Sequence, residues 1–451
     1  VLLGLGTVWV LDGLEVTIVG ALGDRLTQAG SGLGLTAAQV GGAASAYVTG
    51  AVLGALAFGY LTDRLGRKRM FLWTLALYLG ATVATSFATS ASFFFLCRFF
   101  TGAAIGGEYS AINSAIDELI PARVRGTVDL VVNGSFWLGA IAGAGVSILL
   151  LDPSRFALDL GWRLAFALGG ALGVAIVLVR RHVPESPRWL FLHGRLDEAE
   201  AIVRDIEAKV TRERGALAPA DQFIVVDPAR PAGPVVLART LMRTYPGRTV
   251  LGLSLFVGQA FLYNAIFFTQ ALVLSRFFGV TAARVGLFII PLALGNFLGP
   301  LLLGTLFDRI GRKVMISVSF IASGVLLIGT GVLFQWGLLD ATTLTIGWVV
   351  VFFFASAAAS AAYLTVSEIF PMEIRAMAIA LFYAVGTGIG GIAGPLLFGL
   401  AIQVGTVGAV ASGYYLGAVL MILAGLVELF LGVEAARKPL EQVASPLSIV
   451  E

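Results

Sequence analysis

Apolar residues come in long unbroken runs along this chain, parted by short polar links and one long polar stretch. Twelve such runs approach the ~20 residues a helix needs to cross the hydrocarbon core of a bilayer. They fall at 1–23, 38–62, 69–90, 92–116, 126–151, 161–181, 247–276, 281–306, 314–335, 341–366, 375–402 and 408–433. Residues 182–246 differ: Arg195 to Arg214 alternates acidic, basic and apolar positions as a surface helix does, and Pro219, Pro228, Pro231 and Pro234 break the chain before the seventh run. The pattern predicts an all-α membrane protein of twelve transmembrane helices. Its expected division is a six-helix bundle at 1–181, a linker with short helices at 182–246, a second bundle at 247–434 and a tail at 435–451.

The two halves are related. DRLGRK at Asp63 to Lys68 recurs as DRIGRK at Asp308 to Lys313, and ELIPARVR at Glu118 to Arg125 recurs as EIFPMEIR at Glu368 to Arg375. Paired motifs half a chain apart mark a tandem repeat. Basic residues set the orientation. Arg64, Arg67, Lys68 and Arg69 follow the second run, Arg123 and Arg125 follow the fourth, and the 182–246 stretch holds many more, whereas Ser86 to Ser92 has none. The positive-inside rule then places both termini and the long linker in the cytoplasm, with the plasma membrane as the expected location.

Composition agrees, with 58% hydrophobic and 13% charged residues against roughly 25% charged in soluble domains. The net charge of +3 is explained by topology and gives no reason to expect a nucleic-acid partner. Cys97 is the only cysteine, so no disulfide forms within the chain, and its place in the fourth run suits an apolar packing role. The two histidines, His182 and His193, lack metal-pair spacing, and there is neither a GxxxxGK[ST] loop nor a GxSxG elbow. No metal, cofactor or enzymatic chemistry is expected, and the chain is expected to act as a monomer.

Ionisable groups within the bilayer cost several kcal/mol, so those retained are functional candidates. Asp12 and Glu15 share one face of the first helix, Arg98 is the deep cation of the first half, and Glu108 follows Gly106 and Gly107 in the fourth run. An unpaired guanidinium at that depth is prohibitive, and Glu15 is the expected partner of Arg98. Such a pair serves either as a titrating site or as a static tie between two helices. Asp12 is an alternative titrating site, and Glu108 is either a substrate or proton site or a carboxylate satisfied near a helix end. Asn133, Trp137, Gln259, Asn264, Asn296, Phe267 and Tyr363 are expected to line a central site, the amides as donors and acceptors and the rings as stacking surfaces. Bonding between helices is the competing role for each amide. Asp63, Arg64, Arg67, Glu118 and Arg125, with Asp308, Arg309, Arg312, Glu368 and Arg375, form an expected cytoplasmic gate of exposed ion pairs that favours the outward-open state.

GYLTDRLGRKR at Gly59 to Arg69 resembles the loop motif of the major facilitator superfamily. Within it, ELIPARVRG at Glu118 to Gly126, PESPRWL at Pro184 to Leu190 and SEIFPMEIR at Ser367 to Arg375 look like the sugar porter branch. Gly258 to Asn264 keeps one of that branch's two span-seven glutamines and its asparagine. Ile105 to Tyr109 is similar to metabolite/proton symporters, and Leu11 to Glu15 resembles the first-span motif of aromatic-acid symporters. The resemblance implies a fold of two six-helix bundles working by alternating access. It further implies sugar contacts at Gln259 and Asn264, and a proton site where Glu15 faces Arg98. The expectation is therefore proton-coupled symport of a small polar organic solute, sugar or polyol first. The alternatives are organic-ion or aromatic-acid transport, uniport, proton antiport, and a transport-dead membrane sensor.

Overall fold

The computed structural model describes residues 2–22, 25–26, 28–35, 37–151, 154–180, 185–215, 233–280 and 282–447, without the side chains of some helical positions, among them Arg67 and 109–119. Twelve long helices dominate it. In the first half these are α1 (Leu2–Ala21), α2 (Ala37–Leu65), α3 (Arg67–Ser86), α4 (Ala91–Leu119), α5 (Arg125–Leu150, through a single turn at Ser135) and α6 (Leu160–Arg180). In the second they are α7 (Pro246–Phe278), α8 (Ala282–Arg309), α9 (Arg312–Gln335), α10 (Ala341–Ile369), α11 (Arg375–Val404) and α12 (Val407–Leu431). Shorter helices at Pro187–Leu192, Leu196–Arg214 and Pro234–Arg239 follow the first six, and Leu440–Val443 follows the last. His182, Pro219, Pro228 and Pro231 lie outside the described residues. Among the described residues seven helices are long and apolar enough to cross a membrane on composition alone, namely α5 and all six of the second half. The helices that carry Asp12, Glu15, Arg98 and Glu108 are not among the seven.

Packing follows the repeat. In the first half α1 lies on α5, α2 on α4, and α3 on α4 and α6; in the second α7 lies on α11, α8 on α10, and α9 on α10 and α12. The halves meet where α2 packs on α11 and α5 on α8, contacts exchanged by the repeat itself. Small residues let the backbones approach. A methyl group at Gly54 would stand 2.0 Å from the Ala103 carbonyl oxygen, and one at Gly13 would stand 1.8 Å from that of Phe136. In the glycine-rich α11, Gly386, Gly390 and Gly394 face the α7 backbone, while Gly388 and Gly399 face open space.

The repeated hexapeptide ends one helix and starts the next. Its glycines, Gly66 with φ +95° and Gly311 with φ +123°, occupy the left-handed region that side chains disfavour. They are also crowded, because a methyl group would meet the Glu185 carboxylate at 2.4 Å and the Glu434 carboxylate at 2.6 Å. Those carboxylates accept hydrogen bonds from the first amides of the following helices: Glu185 from Lys68 N at 3.2 Å, and Glu434 from Arg312 N at 2.9 Å. A negative group at a helix N-terminus satisfies free N–H donors and complements the dipole. Gly311→Ala is expected to cost about 1–3 kcal/mol and to lower the melting temperature of the detergent-solubilised protein. Melting identical to that of the parent would show that this turn is not constrained.

Candidate functional site

A cavity of about 240 Å³ lies between the halves. The first half supplies Trp9 and Val16 of α1, Tyr47, Val48 and Ala51 of α2, and Asn133, Phe136 and Trp137 of α5. The second supplies Gln259, Ala260, Tyr263, Asn264 and Phe267 of α7, then Ser356, Ala359, Ser360 and Tyr363 of α10, and Tyr383 and Thr387 of α11. Eight of the nineteen lining residues are aromatic, and none carries a charged side chain. Trp137 meets Phe267 edge to face at 5.6 Å and Tyr263 at 6.0 Å, so rings of the two halves touch across the cavity.

Hydrogen bonding divides the amides. The Asn133 Nδ2 donates to Asp129 O at 3.0 Å and the Asn264 Nδ2 to Ala260 O at 2.7 Å, each along its own helix, which commits one of the two donors of each amide. Gln259 lies in the wall on the same helix as Asn264. Of the residues expected to line the site, Asn133, Trp137, Gln259, Asn264, Phe267 and Tyr363 do so. Asn296 does not: it is fully buried behind the wall, accepts from the Tyr263 hydroxyl at 2.6 Å and donates to Leu292 O at 2.9 Å. Its amide anchors a lining ring, the helix-to-helix role that competes with solute contact for any amide in an apolar helix.

Beside the cavity the Arg98 guanidinium is hydrogen-bonded to the Glu15 carboxylate, and both groups are buried at 2% exposure. Glu15 lies on α1 and Arg98 on α4, each helix packed closely on its own neighbour, α5 and α2, through glycine contacts. The guanidinium also lies over the rings of Tyr47 at 4.8 Å and Phe166 at 5.9 Å, so a buried cation is faced by one carboxylate and two π faces. Asp12 and Glu108 are buried as well, at 1% each. Asp12 lies within electrostatic reach of Tyr47 and Tyr383, while Glu108 acts on Tyr78.

At the end of the molecule that carries the repeated motifs, the halves are pinned together. Asp63 at the end of α2 accepts from Met377 N of α11 at 2.9 Å, and Asp308 at the end of α8 accepts from Gly126 N at 3.1 Å and Thr127 N at 2.7 Å of α5. Each motif aspartate thus caps the first turn of a helix in the opposite half. Glu368 accepts from Arg312 Nε at 2.9 Å and Nη2 at 3.2 Å, and from Arg125 Nη1 across the interface at 3.3 Å. Arg312 also binds Asp308 at 2.8 Å. Arg375 donates to Phe370 O at 3.3 Å.

Two features of this network depart from the exposed gate expected. Asp63, Arg125, Asp308, Arg312, Glu368 and Arg375 are all buried, because α2, α5, α8 and α11 converge there. Arg64 and Arg309 are exposed instead, with Arg64 lying over the Tyr60 ring at 5.0 Å, since helical rotation turns them from the interface. The Arg67 and Glu118 side chains lie outside the described residues. Farther out, Arg188 of Pro187–Leu192 binds Glu441 of the tail helix at 2.7 Å. Burial raises the Glu441 carboxyl, but the neighbouring Arg188 charge and hydrogen bond outweigh it and hold the group below its ordinary range.

A family model described as "Sugar (and other) transporter" matches residues 21–446. The chain belongs to that family. Among curated members it is 30% identical to the niacin transporter NiaP of Acinetobacter baylyi, over 87% of this chain and 84% of the relative. It is 29% identical to the putative metabolite transport protein YdjK of Escherichia coli, over 92% and 88%, and 25% identical to a gallate transporter of Pseudomonas putida, over 88% and 84%. Among solved structures, the proton:xylose symporter XylE bound to 6-bromo-6-deoxy-D-glucose superposes with a TM-score of 0.79 at 18% identity, over 98% of this chain and 97% of that one. A partially occluded inward-open XylE from E. coli gives 0.69 at 18% identity, over 96% and 97%. The fold is that of the major facilitator superfamily, and the members named here are transporters, not enzymes.

Sequence reasoning passed over several buried carboxylates and cavity-lining residues of this family member. Asp129, fully buried in α5, and Glu428, fully buried in α12, carry the signal of a charge inside an apolar run. Trp9, Tyr47, Phe136 and Tyr383 line the cavity without any such signal, because an aromatic residue in an apolar helix reads the same whether it faces lipid, core or solute.

Proposed function

We propose that this protein is a proton-coupled symporter that moves a small ring-bearing organic solute across the plasma membrane by alternating access, with both termini and the motif end cytoplasmic. The carrying observation is an aromatic-walled cavity without lining charge, set beside a buried carboxylate–guanidinium pair. The pair supports proton coupling, because a carboxyl whose stability as an anion depends on a nearby cation binds a proton in one arrangement and releases it in another. Glu15 is the proton site in this reading and Arg98 its partner, with Asp12 on the same helix as the alternative site. The bridged motif end makes the pinned state one that is closed to the cytoplasm.

Two solute classes fit a transporter of this family. Gln259 and Asn264 suit the hydroxyls of a sugar or polyol, and relatives include plastidic glucose transporters of Arabidopsis thaliana, named as probable. Eight aromatic side chains facing about 240 Å³ favour a flat ring stacked between them, with the amides left for its polar substituent. Relatives named for niacin, gallate and 4-hydroxybenzoate point the same way. Aromatic acids are therefore the preferred class.

Proteoliposomes separate the classes. Niacin, 4-hydroxybenzoate, gallate, glucose and xylose are added in turn while lumenal pH is read, with protein-free vesicles as the baseline for passive entry of weak acids. Acidification above baseline with the aromatic acids and none with the sugars is expected. Acidification by sugars alone would reverse the preference, and niacin uptake without proton movement would remove the coupling.

A further inference from the structure

We propose that Tyr47 is the positioning residue that couples the Glu15–Arg98 pair to the solute cavity. The inference rests on the symport reading above and names the element through which proton and solute sense each other. Tyr47 occupies two places at once. One face of its ring carries the Arg98 guanidinium at 4.8 Å, and the same side chain forms part of the cavity wall contributed by α2. Glu15, the counter-ion of Arg98, is not among the cavity-lining residues. The Tyr47 side chain thus touches both the guanidinium of the pair and the cavity.

Its backbone is held. A methyl group at Gly102 would stand 2.0 Å from the Tyr47 carbonyl oxygen, so α2 and α4 touch at this level and Tyr47 keeps its distance from Arg98 on the same helix pair. The charged and titratable groups that face Tyr47 are Arg98 from α4, Glu15 and Asp12 from α1, and Tyr383 from α11, across the cavity in the other half. Glu15 in turn faces Arg98, Tyr47 and, from α3, Tyr78.

Linkage follows from this placement. With Glu15 ionised, the guanidinium is neutralised and little field reaches the cavity. When a proton adds to the Glu15 carboxylate, Arg98 loses that counter-charge while the Tyr47 and Phe166 rings stay beside it. The uncompensated cation then attracts an anionic substituent of a solute on the far side of Tyr47, and by reciprocity a bound anion favours protonation of Glu15. The ring fixes how far the cation approaches the solute without letting the two pair directly, so the interaction stays reversible. The phenol hydroxyl has no part in this, since the cation sits on the ring face.

The test is the proton-to-niacin flux ratio in proteoliposomes for the parent, Tyr47→Phe and Tyr47→Leu. The ratio is normalised to the solute moved, so a variant of reduced turnover remains readable. Tyr47→Leu is expected to lower it about tenfold, and Tyr47→Phe to keep it. The pH dependence of niacin binding to purified protein, read as tryptophan quenching, should flatten in the leucine variant and persist in the phenylalanine variant. A leucine variant that keeps both the parental ratio and the parental pH dependence overturns the proposal. So does a phenylalanine variant that loses them as the leucine variant does, because its ring is intact. A parent that takes up niacin without protons fails before any substitution is made, and that failure belongs to the symport reading.

Discussion

Glu15→Gln is expected to abolish uphill accumulation of solute in proteoliposomes with an imposed proton gradient, while solute exchange across the membrane continues. The carboxyl is buried at 2% exposure and bound to a guanidinium equally buried, so the amide keeps an acceptor for Arg98 but cannot take up a proton. Uptake by the parent should rise as the outer pH falls; uptake by the variant should not follow pH, and the accumulation ratio should fall to about one. Arg98 loses its counter-ion in the variant. Removing one partner of a buried pair costs about 3–5 kcal/mol, and the two aromatic faces at 4.8 and 5.9 Å offset only part of this. A lower melting temperature should accompany the loss of coupling. Asp12→Asn is the comparison, because Asp12 is as buried and lies on the same helix. If accumulation persists in both variants, neither carboxyl carries the transported proton. If it fails in Asp12→Asn alone, the pair is a static tie between α1 and α4 and Asp12 is the site.

That pair was legible in the sequence because charge in an apolar run is costly and must be answered. The twelve helices were legible for a similar reason, and each runs within a few residues of its apolar stretch, since a bilayer span leaves little freedom in length. What the repeated hexapeptide does was harder to see. Asp63 and Asp308 read as surface charge beside basic loops, yet each seats its carboxylate on the N-terminus of a helix from the opposite half. No spacing rule within one helix reveals a partner hundreds of residues away. The same limit hid Tyr47, which differs from Tyr78 in sequence by nothing that marks one for the cavity and the other for full burial. Asn296 shows the converse, a polar residue in an apolar helix whose needs are met by a tyrosine of the next helix rather than by solute.

Glu368 offers the second large effect. It receives two bonds from Arg312 of its own half and one from Arg125 of the other, and it is 1% exposed. Glu368→Gln leaves two buried guanidinia sharing one neutral group, with Asp308 still on Arg312 at 2.8 Å. The Arg312 share acts between α9 and α10, which belong to the same half, so its loss weakens the fold in every state. The Arg125 share exists only while the motif ends of the halves are together, so its loss opens that end. A few kcal/mol divided in this way leaves about 1.4 kcal/mol or more for the conformational equilibrium, a shift of about tenfold. The shift can be read with a cysteine introduced at Ser360 in the cavity wall, the native Cys97 being buried in α4. Its labelling rate from the motif side should rise about tenfold with Glu368→Gln, and comparably with Arg125→Gln, which removes the same bond across the halves but leaves Arg312 paired and so lowers the melting temperature less. Labelling unchanged alongside a lower melting temperature would make Glu368 a staple within one half, and the closure would then depend on the two aspartate caps alone.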